Sequence, residues 1–343
     1  MAGQGLDSSR VSVETEQEGL EHFYNQRWTD GLPIVLPEPE RVETMLKGTT
    51  LSPAESVGSI SPGGGEATVE KIAINAVMAG CLPQYLPVVI AAVKATTQPQ
   101  FNLHGVQTTT NPCGPMVQVN GQIRERLQIN GGSNCFGPGW RANATIGRAV
   151  HLALMNIGEA TSDDVDKSTQ GMPGKYSFCF AENEEESPWS PLHVERGFKP
   201  EDDVVTVTAP ATTFNMAGGG DAEDLLLTIA HSLTAIGSNN FRQGGGEPMI
   251  AFCPQHANIL ADAGYSKDDV KRWLHKEARV PLEWLPAGVK AQRERLTGLE
   301  DPLPLAPSWE GFIIVVAGGP GGLHSTFLPT FGDTYAASEL VAR

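Results

Sequence analysis

No apolar run in this 343-residue chain reaches the roughly 18 to 20 residues that a spanning helix requires. A membrane is therefore not expected as a partner. The N-terminal stretch MAGQGLDSSRVSVETEQEG has neither a basic n-region nor an apolar h-region, so a signal peptide is not expected and cytoplasmic residence is the default. Positive charge is also scarce. Against 40 acidic residues there are 24 Lys and Arg, a net charge of −16, which repels nucleic acid and anionic lipid. A small anionic substrate stays compatible, because a few arginines and helix N-termini can make one site locally positive.

Cysteine pairs are missing as well. Cys81, Cys113, Cys135, Cys179 and Cys253 form no CxxC, and their odd number argues against a disulfide framework, so reduced thiols are expected. No HxH or HExxH spacing occurs, and the metal signal is weak. AGGPGG at 317–322 is neither GxGxxG opening a helix nor a Walker loop, so no nucleotide is indicated and the cofactor is unspecified. The sequence shows no repeat and no long low-complexity tract.

What is present suffices for two compact domains. The length allows a core in each, and 40% hydrophobic residues fit a globular chain. Residues 1–18 read as a mobile tail. A short strand is expected at 34–36, with a helix from about Glu38. VEKIAINAVMAG has helical periodicity that stops at Gly80, and CLPQYLPVVIAAVKAT starts a second apolar helix, leaving Cys81 in the break. A third helix spans about 142–157. The second half alternates strands (204–209, 249–253, GFIIVVA) with helices, including one N-capped by Ser266 with Asp269 in its first turn. The expected fold is thus α/β with two domains, 1–200 and 201–343, parted at FKPEDD, the second having a mainly parallel sheet flanked by helices.

Three places could carry chemistry. The stretch NGGSNCFGPGWRANATIGRA (130–149) sets Cys135 in a glycine turn before a helix that carries Arg141, Asn143 and Arg148. Helix N-termini lower thiol pKa values, so Cys81 and Cys135 are both candidate thiolates, with Arg141 and backbone N–H groups as an anion cradle. Each could equally do no more than fill a turn. His104 and Cys113, nine residues apart, could ligate a metal or pair as base and nucleophile. In PGKYSFCFAENEEESPWSPLHVERGF (173–198), Glu182 and Glu184 share a strand face. His193 could supply a base, and Trp189 interrupts the acidic run. In a parallel sheet, ligands bind outside the carboxyl ends of strands. Those ends bring Asn215, Gly219, 253–256, His324 and Ser325 to one edge.

The stretches TDGLPIVLP (29–37), KIAINAVMAGCLPQYLPVVIAA (71–92), FNLHGVQTTTNPC (101–113), FGPGWRANATIGRA (136–149) and AENEEESPWSPLHVERGF (181–198) resemble bacterial UGSC-like proteins and selenoproteins. That resemblance covers most of the first 200 residues and implies thiol or selenol chemistry. The family's Cys-Gly-Ser-Cys signature is absent here; AGC at 79–81 and IGSNN at 236–240 are its nearest echoes.

The leading expectation is an enzyme acting on a small anionic organic substrate by cysteine-assisted redox, transfer or lyase chemistry. Cys81 or Cys135 would be the thiolate, and His193, Glu184 or Glu182 would move protons. Arg141, Asn143, Trp189, Asn215, Gly219, His324 and Ser325 would bind substrate, in a homo-oligomer. The alternatives are a metal-dependent lyase or hydratase, drawing on His104, Cys113, Glu182, His193, His256 and His324, and a non-catalytic small-molecule-binding protein.

Overall fold

A computed structural model describes residues 6–342. Its strands are short, apolar and mostly buried on both faces: Met116–Asn120, Val204–Thr208, Met249–Phe252 and Ile313–Val316 expose nothing. Such strands need a covering layer on each side, and they form two four-stranded sheets that supply one layer to each other. The first sheet runs in the order 337–340, 204–208, 116–120, 179–181, and the second in the order 313–316, 249–252, 324–328, 214–217.

Alternation of side chains builds the layers. Met116, Phe178, Phe180, Met249, Ala251, Ile313, Val315 and Leu328 meet between the sheets. Val117, Val119, Val205 and Val207 point the other way, onto helices Val69–Ala79, Leu86–Thr96 and Arg141–Gly158. Ile250, Phe252, Ile314 and Val316 face helices Ala222–Leu233, Pro254–Asp262 and Lys267–Glu277. The order of layers is helix, sheet, sheet, helix.

Helix ends follow the residues anticipated for them. Thr68 accepts the Lys71 N–H at one end of helix 69–79, and Gly80 takes a left-handed φ of 85° at the other, a conformation that only glycine adopts cheaply. Ser266 and Asp269 form a reciprocal capping box. Two local expectations are not met. Residues 34–36 form no strand, although Val35 N–H donates to Met78 O at 3.2 Å. The segment expected to be a mobile tail is anchored where it is described: Asp7 and Ser8 donate N–H groups to Glu70, and a helix begins at Glu16 behind the Thr15 cap. Residues 1–5 of that segment lie outside the described residues.

The second sheet is mixed rather than mainly parallel. Only 313–316 and 249–252 run parallel, whereas 324–328 is antiparallel to both 249–252 and 214–217. Two strands hidden in apparent loops cause the difference. TTFNMA contributes the exposed edge strand 214–217, and HSTFL returns across the sheet directly after a glycine loop. The first sheet has the same arrangement: one parallel pair (116–120 with 179–181), then two antiparallel steps through 204–208 to 337–340.

The two sheets exchange their last strands. From 204–208 the chain passes to the second sheet as 214–217, and from 324–328 it passes back to the first as 337–340. The two crossing segments bond to each other, Ala211 N–H to Pro329 O at 2.8 Å and Phe331 N–H to Ala209 O at 2.9 Å. Residues beyond the boundary drawn near 200 therefore complete the first sheet.

The acidic segment 182–196 is anchored at buried Glu182, Leu192 and His193, while Glu185, Glu186 and Glu195 stay exposed. Arg124, 8% exposed, bonds bidentately to Glu185 (2.8 and 3.2 Å) and reaches Glu184 at 3.1 Å. Glu195 pairs with the buried Lys267 and Lys271. The Arg124 hydrogen bonds hold the Glu185 carboxyl at about 2, well below its usual 4.5. A depressed carboxylate contributes stability that is complete above its unfolded pKa and lost as pH falls through the folded value. Arg124→Met leaves carboxylates without their cation and should lower unfolding stability by about 3 kcal/mol. Urea melts should also show its acid limb flattened between pH 4.5 and 2 relative to the parent; an unchanged limb would dissociate the ion pair from acid sensitivity.

Candidate functional site

Strand order decides what lies at the end of 249–252. Strand 313–316 flanks it on one side and 324–328 on the other, so the connection 317–323 must cross its carboxyl end. The residue beneath the crossing is Cys253. It is the N-cap of helix 254–262, with extended backbone (φ −68°, ψ 156°) and Pro254 in the first turn. His256 follows one turn later on the same helix start.

The hydrogen bonds join four segments. The Cys253 thiol donates to Gly322 O at 3.2 Å, and its N–H donates to Ser325 Oγ, also at 3.2 Å. His256 Nδ1 lies 2.7 Å from Ser325 Oγ and Nε2 3.1 Å from Gly218 O. Because a carbonyl only accepts, Nε2 carries a proton, and in the neutral ring Nδ1 accepts from the Ser325 hydroxyl. The Gln255 amide, with its oxygen on Gly321 N–H (2.7 Å) and nitrogen on Gly322 O (3.2 Å), pins the loop above. From the other side Asn183 holds it, N–H to Val316 O at 2.8 Å and Nδ2 to Gly318 O at 3.1 Å.

Glycine is required in this crossing. Gly318 and Gly321 have φ of 112° and 87°, and a Cβ on Gly319 would come 1.7 Å from Ser133 Oγ. The loop thereby packs on 131–135, where Gly318 N–H bonds to Gly131 O at 2.8 Å.

Electrostatics single out Cys253. Burial alone would raise its thiol, but the neighbouring His256 ring and backbone outweigh that and bring the pKa below the usual 9.0. For His256, burial opposes charge, yet the neighbouring Cys253 thiol lifts the ring above its usual 6.5. The two shifts point the same way, toward a thiolate–imidazolium pair. The helix N-terminus adds its partial positive charge.

The thiols expected to be reactive sit in the opposite environment. Cys81 is buried, and its N–H continues the bonding of helix 69–79 by donating to Ala76 O, which places it at the negative end of a helix. The next helix begins at Leu86, after a 3-10 turn. Burial pushes its thiol up to about 12. Cys135 lies well before helix 141–158, whose N-cap is Trp140, and burial pushes it up to about 11 despite backbone N–H groups from Phe136 and Gly318. Cys113 rises to about 12, again through burial, and Cys179 is raised too.

Most other expected site residues make contacts within the fold, although Glu182 Oε1 and both His193 ring nitrogens are buried without a hydrogen-bond partner. Arg141 donates through Nε and Nη2 to Gly80 O (3.2 and 2.9 Å), capping a helix C-terminus. Asn143 is buried and braces the 130–135 turn through Asn130 and Cys135 O. Trp189 donates Nε1–H to Tyr265 O and packs edge-on against Phe252. Glu182 is fully buried, and its Oε2 accepts from Gln118, Asn120 and the Leu192 N–H; burial raises its carboxyl. Glu184 shares the Asn120 amide and accepts the Gly121 N–H at 2.9 Å. His193 is sealed in the interior, whereas Asn215 and His324 are exposed. Gly219 packs near Leu323 and Ser325 is part of the Cys253 cluster, so the carboxyl-edge reading does bring 218, 253–256 and 322–325 together.

His104 is exposed and Cys113 buried. Among the described residues, no three His, Cys, Asp or Glu side chains are grouped to hold a metal ion. No helix among them is long and apolar enough to cross a membrane. Compared with known proteins, the chain matches no family model, no curated protein and no solved structure.

The signal for Cys253 was available in MIAFCPQH: a strand ending on cysteine, a proline that starts a helix, and histidine one turn on. With iodoacetamide at pH 7, Cys253 should label first and the other four at least tenfold more slowly, since each tenfold in thiolate fraction follows one pKa unit. Peptide mass spectrometry showing Cys81 or Cys135 modified ahead of Cys253 would reverse this ranking.

Proposed function

We propose that the chain is a thiol-dependent enzyme in which Cys253 is the nucleophile, His256 the proton-transfer group and Ser325 the residue that orients the ring. The observation that carries this reading is the mutual shift of Cys253 and His256 at a helix N-cap under a glycine loop. Cys253 is 4% exposed, so the substrate is small and enters past the 318–322 loop.

The matching arrangement of the two sheets supports a carboxylate-bearing substrate. In the first sheet the chain also crosses the end of its central strand, and there Glu184 places a carboxylate on the Gly121 N–H. In the second sheet the corresponding crossing is glycine-rich and carries no acidic side chain between 317 and 323. Backbone N–H groups and the start of helix 254–262 would hold the substrate's own anion there. This assigns anion binding to the loop rather than to Arg141.

In the reaction, the Cys253 thiolate attacks an electrophilic carbon, and the imidazolium of His256 returns a proton to the leaving group. Protonation reverses the His256–Ser325 bond, so that Nδ1–H donates to Ser325 Oγ. The hydroxyl can follow this change by rotation, without moving the ring.

A small activated ester, 4-nitrophenyl acetate, tests the nucleophile. Thiolate attack forms an S–acetyl bond, breaks the ester C–O bond and expels 4-nitrophenolate, giving a burst of about one equivalent per chain. Cys253→Ser should remove the burst. His256→Gln should slow it at least tenfold at pH 7 and move its rise to higher pH, as the thiol loses its partner. A full burst in Cys253→Ser would assign the chemistry elsewhere.

A further inference from the structure

A cavity of about 500 Å³ lies beneath the 160–176 segment, and none of the Cys253 cluster lines it. Ligand pockets span roughly 300–1,000 Å³, so the volume suits a small organic molecule. Val106, Leu152, Met155 and Met172 supply an apolar wall, and His151, Lys175 and Asp166 supply the ionisable groups. The covering segment is long and contains little regular structure. It is fixed all the same: Ser168 Oγ donates to Asn111 O at 2.9 Å and Thr169 N–H to Thr110 O at 3.0 Å. Long, anchored loops of this kind are commonly functional.

Charge in the cavity is already balanced. Lys175 is paired with Asp166 and also donates to Ser168 Oγ at 2.7 Å. Asp30 is held bidentately by Arg148 at 2.8 Å through both oxygens. His151 donates Nε2–H to Pro115 O at 2.9 Å, which leaves Nδ1 as a hydrogen-bond acceptor. Burial pushes this ring down to about 4, so it is neutral at physiological pH. An ion entering here would lose its hydration and meet no unpaired counter-charge.

We propose that this cavity is a binding site for an uncharged organic molecule with an apolar body and one hydroxyl or amide head group. The head group's donor meets His151 Nδ1, its oxygen accepts from the Lys175 ammonium, and the body lies on Leu152 and Met155. The site is independent of Cys253.

Saturation-transfer NMR on the full chain with benzamide, benzoate and benzylamine tests the assignment. Benzamide should bind, and the two charged analogues should bind at least tenfold more weakly. Met155→Trp, which fills the cavity, should weaken benzamide at least tenfold. Should that variant fail to fold, Gln170→Trp, at the exposed rim, serves the same purpose. Cys253→Ser should leave benzamide affinity unchanged, which keeps this site's test separate from the thiol reading. Absence of benzamide binding, equal or tighter binding of either charged analogue, insensitivity to the filling variant, or loss in Cys253→Ser would each overturn the proposal.

Discussion

The crossing of residues 317–323 over the end of strand 249–252 is the constraint on which the candidate site depends. With a parallel neighbour on one side and an antiparallel neighbour on the other, the central strand cannot end in open solvent. Whatever residue follows Phe252 is covered by backbone. Here that residue is a cysteine at a helix start, and the covering backbone is glycine-rich. Covering a thiol normally raises its pKa, as it does for the other four cysteines. The reversal at Cys253 comes from His256, which the same helix turn supplies and which Ser325 and Gly218 hold in place.

The first sheet applies the same geometry to a different end. Its crossing brings Glu182 and Glu184 down onto Asn120 and Gly121, and Arg124 pairs with Glu184 and Glu185 from beside them. Here the space is filled and tied down by ion pairs, which suits structure more than turnover. One arrangement of strands thus produces a locked arch in one half and a glycine arch over a polarised thiol in the other.

Much of the fold was legible in the sequence. Helices with a clear apolar face and a capping residue, such as 69–79 with Gly80 and 267–277 with Ser266, begin and end where their residues say they should. The buried strands 204–208, 249–252 and 313–316 were equally plain, whereas 116–120 was not singled out. Among the missed elements are two whose pairing is decided at long range: 214–217 exposes most of its residues, and 324–328 begins with an exposed histidine after glycines. No local pattern announces either one, and without them the second sheet reads as parallel. The raised thiol of Cys81 follows from the same source. Proximity to a helix start was judged by distance along the chain, whereas Cys81 belongs to the helix before it, whose end is negative. The acidic run 182–186 reads locally as solvated or catalytic, and only tertiary contacts show Arg124, Lys267 and Lys271 waiting for it and for Glu195.

The exchanged strands tie together the timing of the two halves. Val204 pairs with Leu340, so the first sheet lacks its outer strand until a segment well over a hundred residues downstream has been synthesised. The edge of 204–208 stays open throughout that interval, a row of unpaired N–H and C=O groups on an otherwise apolar strand. The second sheet, in contrast, receives 214–217 before its own centre exists. Such distant pairings slow folding and favour a concerted final step. A nascent chain of this design therefore has to keep one sheet edge protected while the half containing the Cys253 arch is still being made, and both halves close in the same event.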